Sequence, residues 1–247
     1  MARVSHIRVV SMIEVSTIGR IVVPNGVPRG FALFYTTRDF RGVLNPEVAR
    51  GLTGFIEERF GIACALTTCT QVHGASVAKG QNEARWSECD SCDALYTAAS
   101  KSALGIKVAD CLPVTLIDPV HSVIANIHSG WRGAAQGITA RTLATLENET
   151  RFVPSAARAW LGPTIRVCCF EVGNEVAVQF DERYVDRSHA KPHLDIAAFT
   201  KDVLRERGFS EDSIVDTELC TRCDGSIFHS YRRDGKGGGR NLAIVAQ

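Results

Sequence analysis

The alternation of apolar and polar positions divides this chain into many short strand-like runs and a few helical stretches. Residues 31–37 (FALFYTT) are dense in aromatic and β-branched side chains and predict a strand. Residues 19–24 predict a shorter one, closed by the turn signal Pro24-Asn25-Gly26. Between residues 46 and 60, apolar positions 48, 52, 55, 56 and 60 follow helical spacing. Asn45 is placed to cap that helix, Pro46 to open it and Gly61 to end it. Residues 64–72 predict a strand running into Gln71-Val72-His73-Gly74, residues 81–92 a polar surface loop, and residues 93–97 renewed order.

Two apolar runs follow, read as a hairpin turned at Asp118-Pro119. Cys111 interrupts the first run and His128 ends the second, just before Ser129-Gly130-Trp131-Arg132-Gly133. Helical spacing covers 133–149, 173–180 and 196–207, the last with Asp195 as its cap and Gly208 beyond its end. Strands are expected at 159–162, 213–217 and 241–245. Several strands succeed one another without an intervening helix. The pattern therefore favours a single α/β domain of mixed or packed sheets flanked by helices over a doubly wound parallel sheet. Residues 1–28 are set apart as an N-terminal extension, and 29–247 as the domain proper.

Composition narrows the function classes. With 247 residues, 45% hydrophobic and a net charge of +1, the chain offers no bulk electrostatic pull toward nucleic acid or an anionic membrane. No apolar run reaches the ~20 residues of a membrane span, and the first residues lack a signal-peptide pattern. The expectation is a cytoplasmic protein, with a monomer favoured. Nine cysteines in a reducing compartment are first of all buried small hydrophobes, then metal or catalytic groups.

Three positions stand out as candidate metal ligands, His73, Cys111 and His128, although each taken singly reads first as a hydrogen-bonded imidazole or a core thiol. Two imidazoles and one thiolate match a catalytic zinc, which takes three protein ligands and keeps a fourth position open. The same residues permit a second chemistry, with Cys111 as a nucleophile activated by a neighbouring histidine. Arg132, at a helix start, supplies a fixed positive fork for an anion. Arg232, Arg233, Lys236 and Arg240 supply more positive charge around the glycines of 234–240. Cys89-x-x-Cys92 and Cys220-x-x-Cys223 together could form a four-thiolate zinc site. Cys168-Cys169 is not expected to bind one metal, because adjacent side chains point apart on a strand.

Six ordered motifs carry a resemblance: Q-V-H-G (71–74), D-A-L-Y-T (93–97), A-D-C-L-P-V (109–114), H-S-G-W-R-G (128–133), L-G-P-T-I…C-C-F-E-V-G (161–173) and S-Y-R-R-D-G…G-R (230–240). They resemble the YfiH/laccase-domain family, also called polyphenol oxidoreductases, whose members are described as purine nucleoside phosphorylases. The resemblance implies a single α/β/β/α domain, similar to the catalytic region of cytotoxic necrotising factor. It implies zinc on His73, Cys111 and His128, with Cys111 and His128 at the catalytic centre and copper as a possible occupant. Its implied substrates are purine nucleosides and phosphate: phosphorolysis of adenosine, inosine and 5′-methylthioadenosine, plus adenosine deamination. Arg38, Arg132 and Arg233 become expected substrate or phosphate contacts, and Asp93 and Asp110 candidate proton carriers. The alternatives are a cysteine hydrolase or amidase acting on peptidoglycan precursors through Cys111, and a copper-dependent polyphenol oxidase. A three-domain laccase needs many His-x-His pairs, and this chain has seven histidines and none so spaced. Ser129, Arg166 and the loop at 38–45 depart from the family pattern.

Overall fold

The computed structural model describes residues 11–40, 44–82 and 84–247. Arg41, Gly42 and Val43, in the altered 38–45 loop, and residues 1–10 of the expected extension lie outside the described residues. The strands in chain order are β1 (Ser11–Ser16), β2 (Gly19–Pro24), β3 (Ala32–Thr36), β4 (Ala65–Cys69), β5 (Val77–Lys79), β6 (Trp86–Cys89), β7 (Ala94–Thr97) and β8 (Ser102–Val108). They continue with β9 (Leu112–Asp118), β10 (Val123–Ser129), β11 (Arg158–Leu161), β12 (Val185–Asp186), β13 (His193–Leu194), β14 (Ile214–Asp216) and β15 (Asn241–Ala246). The α-helices are α1 (Pro46–Phe60), α2 (Trp131–Ala135), α3 (Ile138–Glu149), α4 (Asn174–Ala177), α5 (Ile196–Glu206) and α6 (Tyr231–Asp234).

Thirteen of these strands form two mixed sheets. One runs β1-β2-β3-β15-β8-β4-β6 and the other β14-β11-β9-β10-β7-β5. Their inner faces meet through Leu33, Tyr35, Leu104, Ile106 and Val245 on one side and Leu95, Ile117, Ile124 and Trp160 on the other. Buried Asn126 of β10 crosses this layer. Its amide donates to the carbonyls of Leu104 (3.1 Å) and Ala243 (2.8 Å) and accepts from Thr115 (3.1 Å), so it is satisfied on both sides. Helix α1 covers the outer face of the first sheet through Leu52, Phe55 and Ile56. Helices α3 and α5 cover the second through Leu143, Leu146, Ile196 and Leu204. The expected α/β/β/α layering is the architecture.

Helix α1 has the expected bounds. The Asn45 side chain accepts from the Val48 N–H at 2.9 Å, and Gly61 ends the helix at φ 71°. Strands β1 and β2, within residues 1–28, pair with each other and, through β2, with β3. Two readings change. The 81–92 loop contains β6, which pairs in parallel with β4 at the sheet edge. The helix expected over 133–149 is broken at Gln136-Gly137, where Gly137 takes φ 76°.

The largest change concerns Cys111. It does not interrupt one strand. Val108 ends β8 in the first sheet and Leu112 opens β9 in the second, so Ala109-Asp110-Cys111 is the passage between sheets. Asp110 holds φ 86°, and its side chain locks that passage. It accepts from Thr221 Oγ1 (2.6 Å), Ser230 Oγ (3.1 Å) and the Arg232 N–H (2.6 Å).

Candidate metal centre

His128 sits at the penultimate position of β10, opposite Pro113 of β9, and Cys111 immediately precedes β9. His73 arrives on the loop after β4. Gln71 fixes that loop to β8 by a two-point amide contact with the Lys107 backbone, at 2.7 and 2.8 Å. One nitrogen from each histidine and the Cys111 sulfur lie within 4.8 Å of one another. The two imidazole rings meet edge to face, 4.8 Å between centroids. The structure thus brings together the three residues singled out as ligands.

Asp93 organises them. It is 0% exposed and accepts His128 Nδ1 at 2.7 Å, which leaves Nε2 of that ring for a metal. It also accepts the backbone N–H groups of His73 (2.9 Å), Gly74 (2.7 Å) and Val72 (3.3 Å). These contacts hold His73 at φ 60°, an uncommon backbone for a residue with a side chain. Burial opposes the Asp93 carboxylate, but His128 and the N–H groups of Gly74 and His73 outweigh it and hold its pKa below the ordinary value. Asp93 and Asp110 are therefore both occupied by structural hydrogen bonds, and neither is a free proton carrier.

The glycines of the 128–133 motif answer to close approach. A Cβ on Gly130 would stand 2.9 Å from Cys111 Sγ, and one on Gly133 would stand 2.7 Å from the Gly74 carbonyl. Burial pushes the Cys111 thiol up, but His128 and His73 more than reverse this and bring it down to about 6. Burial likewise disfavours charged His128, while Asp93 and Cys111 raise it to about 9. A thiolate between two imidazoles, backed by a carboxylate, is the donor set of a three-ligand metal site. It is also a thiolate–imidazolium pair.

The centre opens onto a cavity of about 870 Å³. Trp131, Phe170 and Tyr231 supply aromatic wall, and Lys107, Arg132, Arg232 and Arg240 supply positive charge. Arg132 stacks on Trp131, 4.3 Å from its ring centre. Two expected contacts are not on this wall. The exposed Arg38 donates to the Gly225 carbonyl. Arg233 pairs with Asp234 (2.7 Å) and donates to the carbonyls of Phe228 and Thr221, so it closes its own loop. Lys107, Trp131, Phe170 and Tyr231 were not singled out from the sequence.

The cysteine pairing also changes. Cys89 contacts the Lys79 carbonyl, and Cys92 is buried beside Cys69. The group that gathers is Cys168, Cys169, Cys220 and Cys223. Cys168 and Cys169 occupy a turn rather than a strand, which removes the reason for separating them.

Comparison with known proteins places the chain. Residues 47–247 match the family described as multi-copper polyphenol oxidoreductase laccase. The chain belongs to this family. An adenosine deaminase, RL5, from an unknown prokaryotic organism is 33% identical over 62% of the chain and 61% of its own length. The chain thus aligns with under two thirds of that relative. A purine nucleoside phosphorylase of Xylella fastidiosa is 37% identical over 68% of this chain and 67% of its own. Among solved structures, YlmD from Geobacillus stearothermophilus superposes with a TM-score of 0.82 at 23% identity, covering 96% of this chain and 99% of that one. The YfiH protein of Bacillus licheniformis gives 0.82 at 22% identity, over 95% and 98%. These two likenesses establish the YfiH-like fold.

Both point departures from the family pattern have structural consequences. Ser129 is 0% exposed and its hydroxyl has no hydrogen-bond partner among the described residues. Ser129→Ala is expected to raise stability by about 1 kcal/mol in urea unfolding, since it removes a desolvated hydroxyl. Arg166 points away from the cavity into an ion pair with Asp216, which Lys201 completes at 2.7 Å. Burial raises the Asp216 pKa, but Arg166 and Lys201 outweigh it and the net shift is downward. That stability is present above the unfolded carboxylate value of about 4 and is lost as pH falls through the lower folded value. Arg166→Ala is expected to cost about 2 kcal/mol near neutral pH. The gap from the parent should close on acidification below about pH 4, as read by denaturant unfolding at both pH values.

Proposed function

We propose that this chain is a zinc-dependent purine nucleoside phosphorylase, acting on adenosine, inosine and 5′-methylthioadenosine, with adenosine deamination as a second activity. The observation that carries the reading is the meeting of a three-donor centre with an aromatic, positively charged cavity. A cavity of about 870 Å³ falls within the range of small-molecule sites and suits a nucleoside with phosphate. Relatives named purine nucleoside phosphorylase and adenosine deaminase support the substrate class.

In this reading His73, Cys111 and His128 hold the zinc, and no further ligand group among the described residues closes the site. Zinc there supplies Lewis acidity and acidifies water. The chain's own groups do the rest. Asp93 keeps the His128 proton on Nδ1. Trp131, Phe170 and Tyr231 exclude water and offer faces to the purine. Arg132, held by its stacking on Trp131, orients phosphate by charge-assisted hydrogen bonds, with Arg232 and Arg240 beside it. Phosphorolysis joins phosphate to the ribose anomeric carbon as the bond to the purine nitrogen breaks.

A second reading rests on the lowered Cys111 thiol beside His128: a cysteine amidase acting on peptidoglycan precursors. One assay separates the two. Adenosine with phosphate should yield free purine base (adenine plus hypoxanthine) and ribose 1-phosphate in equal amounts, and the yield should vanish when phosphate is withheld. Absence of both products from zinc-loaded protein, with iodoacetamide labelling Cys111 while metal is retained, would favour the amidase. Oxidation of a phenol by the copper-loaded chain, without nucleoside turnover, would favour the polyphenol oxidase reading.

A further inference from the structure

The four gathered cysteines belong to neither the centre nor the cavity wall, and nothing in the proposed reaction uses them. Cys168 Sγ stands 3.8 Å from both Cys220 Sγ and Cys223 Sγ, and Cys169 Sγ stands 3.4 Å from Cys223 Sγ. All four sulfurs lie within 4.8 Å of one another. A tetrahedral zinc–thiolate site with bonds of about 2.3 Å separates its sulfurs by about 3.8 Å. Two of these three spacings match that edge length and the third is shorter, at 3.4 Å.

The backbone around Cys220 favours a thiolate. Residues 220–223 form a Cys-x-x-Cys turn whose N–H groups at Arg222 and Cys223 point at the Cys220 sulfur, joined by the Arg166 N–H from the opposing loop. The Arg222 guanidinium, its pKa raised chiefly by Cys169, adds positive charge beside the group. Backbone donors converging on a buried sulfur favour the charged form, as orienting partners of a bound metal do. Asp224 closes the turn by accepting the Cys220 N–H at 3.2 Å and donating its own N–H to the Cys220 carbonyl at 2.9 Å.

We propose that Cys168, Cys169, Cys220 and Cys223 form a second metal site, a closed tetrathiolate that takes zinc as a structural ion. Binding releases the remaining thiol protons and involves no change of oxidation state. All four positions come from the protein, so the site has no place for substrate. Its location gives it a task. The 165–170 loop supplies Ile165 and Phe170 to the cavity wall. The 220–223 turn supplies Thr221, whose hydroxyl holds Asp110 beside Cys111. Backbone bonds between Thr164 and the 219–221 segment already join the two segments at one end. The second ion ties them at the other and fixes one side of the cavity.

The test counts zinc and its sulfur ligands in the full chain. The His73→Ala/Cys111→Ala variant dismantles the first centre. It should still hold about one zinc per chain, with an X-ray absorption spectrum fitted by about four sulfurs. Cys168→Ser, at an exposed position, should lose that zinc and keep the metal of the first centre. If either variant fails to fold, the zinc-saturated parent serves instead. Two filled sites predict an average of about two and a half sulfurs per zinc, against about one if only the first centre fills. A folded but zinc-free His73→Ala/Cys111→Ala chain, nitrogen ligands on its zinc, or a disulfide among the four cysteines in protein purified under reductant would each overturn the proposal. These outcomes are independent of whether the chain turns over nucleosides.

Discussion

Cys111→Ala is expected to empty the first centre of metal and to lower adenosine phosphorolysis by at least about a hundredfold. The sulfur is the anionic member of the donor set. Without it His73 and His128 hold a divalent ion through two neutral imidazoles only. The loss by itself does not separate a metal ligand from a nucleophile, so the replacement matters. Cys111→Asp keeps an anionic donor at the passage between the sheets. It should retain measurable metal and a fraction of the turnover, as read by metal analysis and product assay on the same sample. A nucleophilic thiol admits no such rescue. Full activity in Cys111→Ala with an empty first centre would remove that metal from the account altogether.

The second large effect belongs to a residue that touches no substrate. Asp93 accepts the His128 ring and three backbone N–H groups from the loop that carries His73. Asp93→Asn keeps one acceptor oxygen but turns an amide N–H₂ toward donors. It is expected to weaken zinc binding by about ten- to a hundredfold. It should also lower stability by about 3 kcal/mol, because buried donors lose their charged partner. A competitive chelator titration reads the first and urea unfolding the second. If Asp93 only braced the fold, stability would fall while zinc affinity in the folded protein stayed unchanged.

Much of this site is legible in the sequence, and the illegible parts share a cause. His73, Cys111 and His128 are chemically conspicuous residues at the ends of apolar runs, and the motifs around them carry their own spacing. Asp93 gives no comparable local signal. Its importance comes from four donors brought to it by two different segments. The passage at 109–111 is hidden for another reason. Strands β8 and β9 are both buried, so the apolar pattern on either side of Cys111 is the same although the two belong to different sheets. The strand β6 is hidden by its place at a sheet edge, where its residues stay half-exposed and polar. Helix α1 is the opposite case: cap, apolar stripe and terminating glycine are all local, and its bounds follow from them.

The cysteines show how far sequence proximity misleads. Cys89-x-x-Cys92 has the spacing of a metal pair, but its two residues fall on either side of a change of sheet. Cys89 ends β6 in the first sheet, and Cys92 precedes β7 in the second. Cys168-Cys169 has the wrong spacing for a strand and an acceptable one for a turn. The arginines behave likewise. Arg233 and Arg38 look as available as Arg132, yet local carbonyls and a neighbouring carboxylate occupy them, whereas Arg132 is held over Trp131 at the cavity.

The central claim is that His73, Cys111 and His128 hold one zinc with an open position facing the cavity. Anomalous diffraction at the zinc edge from zinc-loaded crystals tests it most directly. The account predicts a peak about 2.0–2.3 Å from His128 Nε2, Cys111 Sγ and a His73 nitrogen, with no fourth protein ligand. A peak absent from this position, or one closed by a fourth side chain, would contradict it.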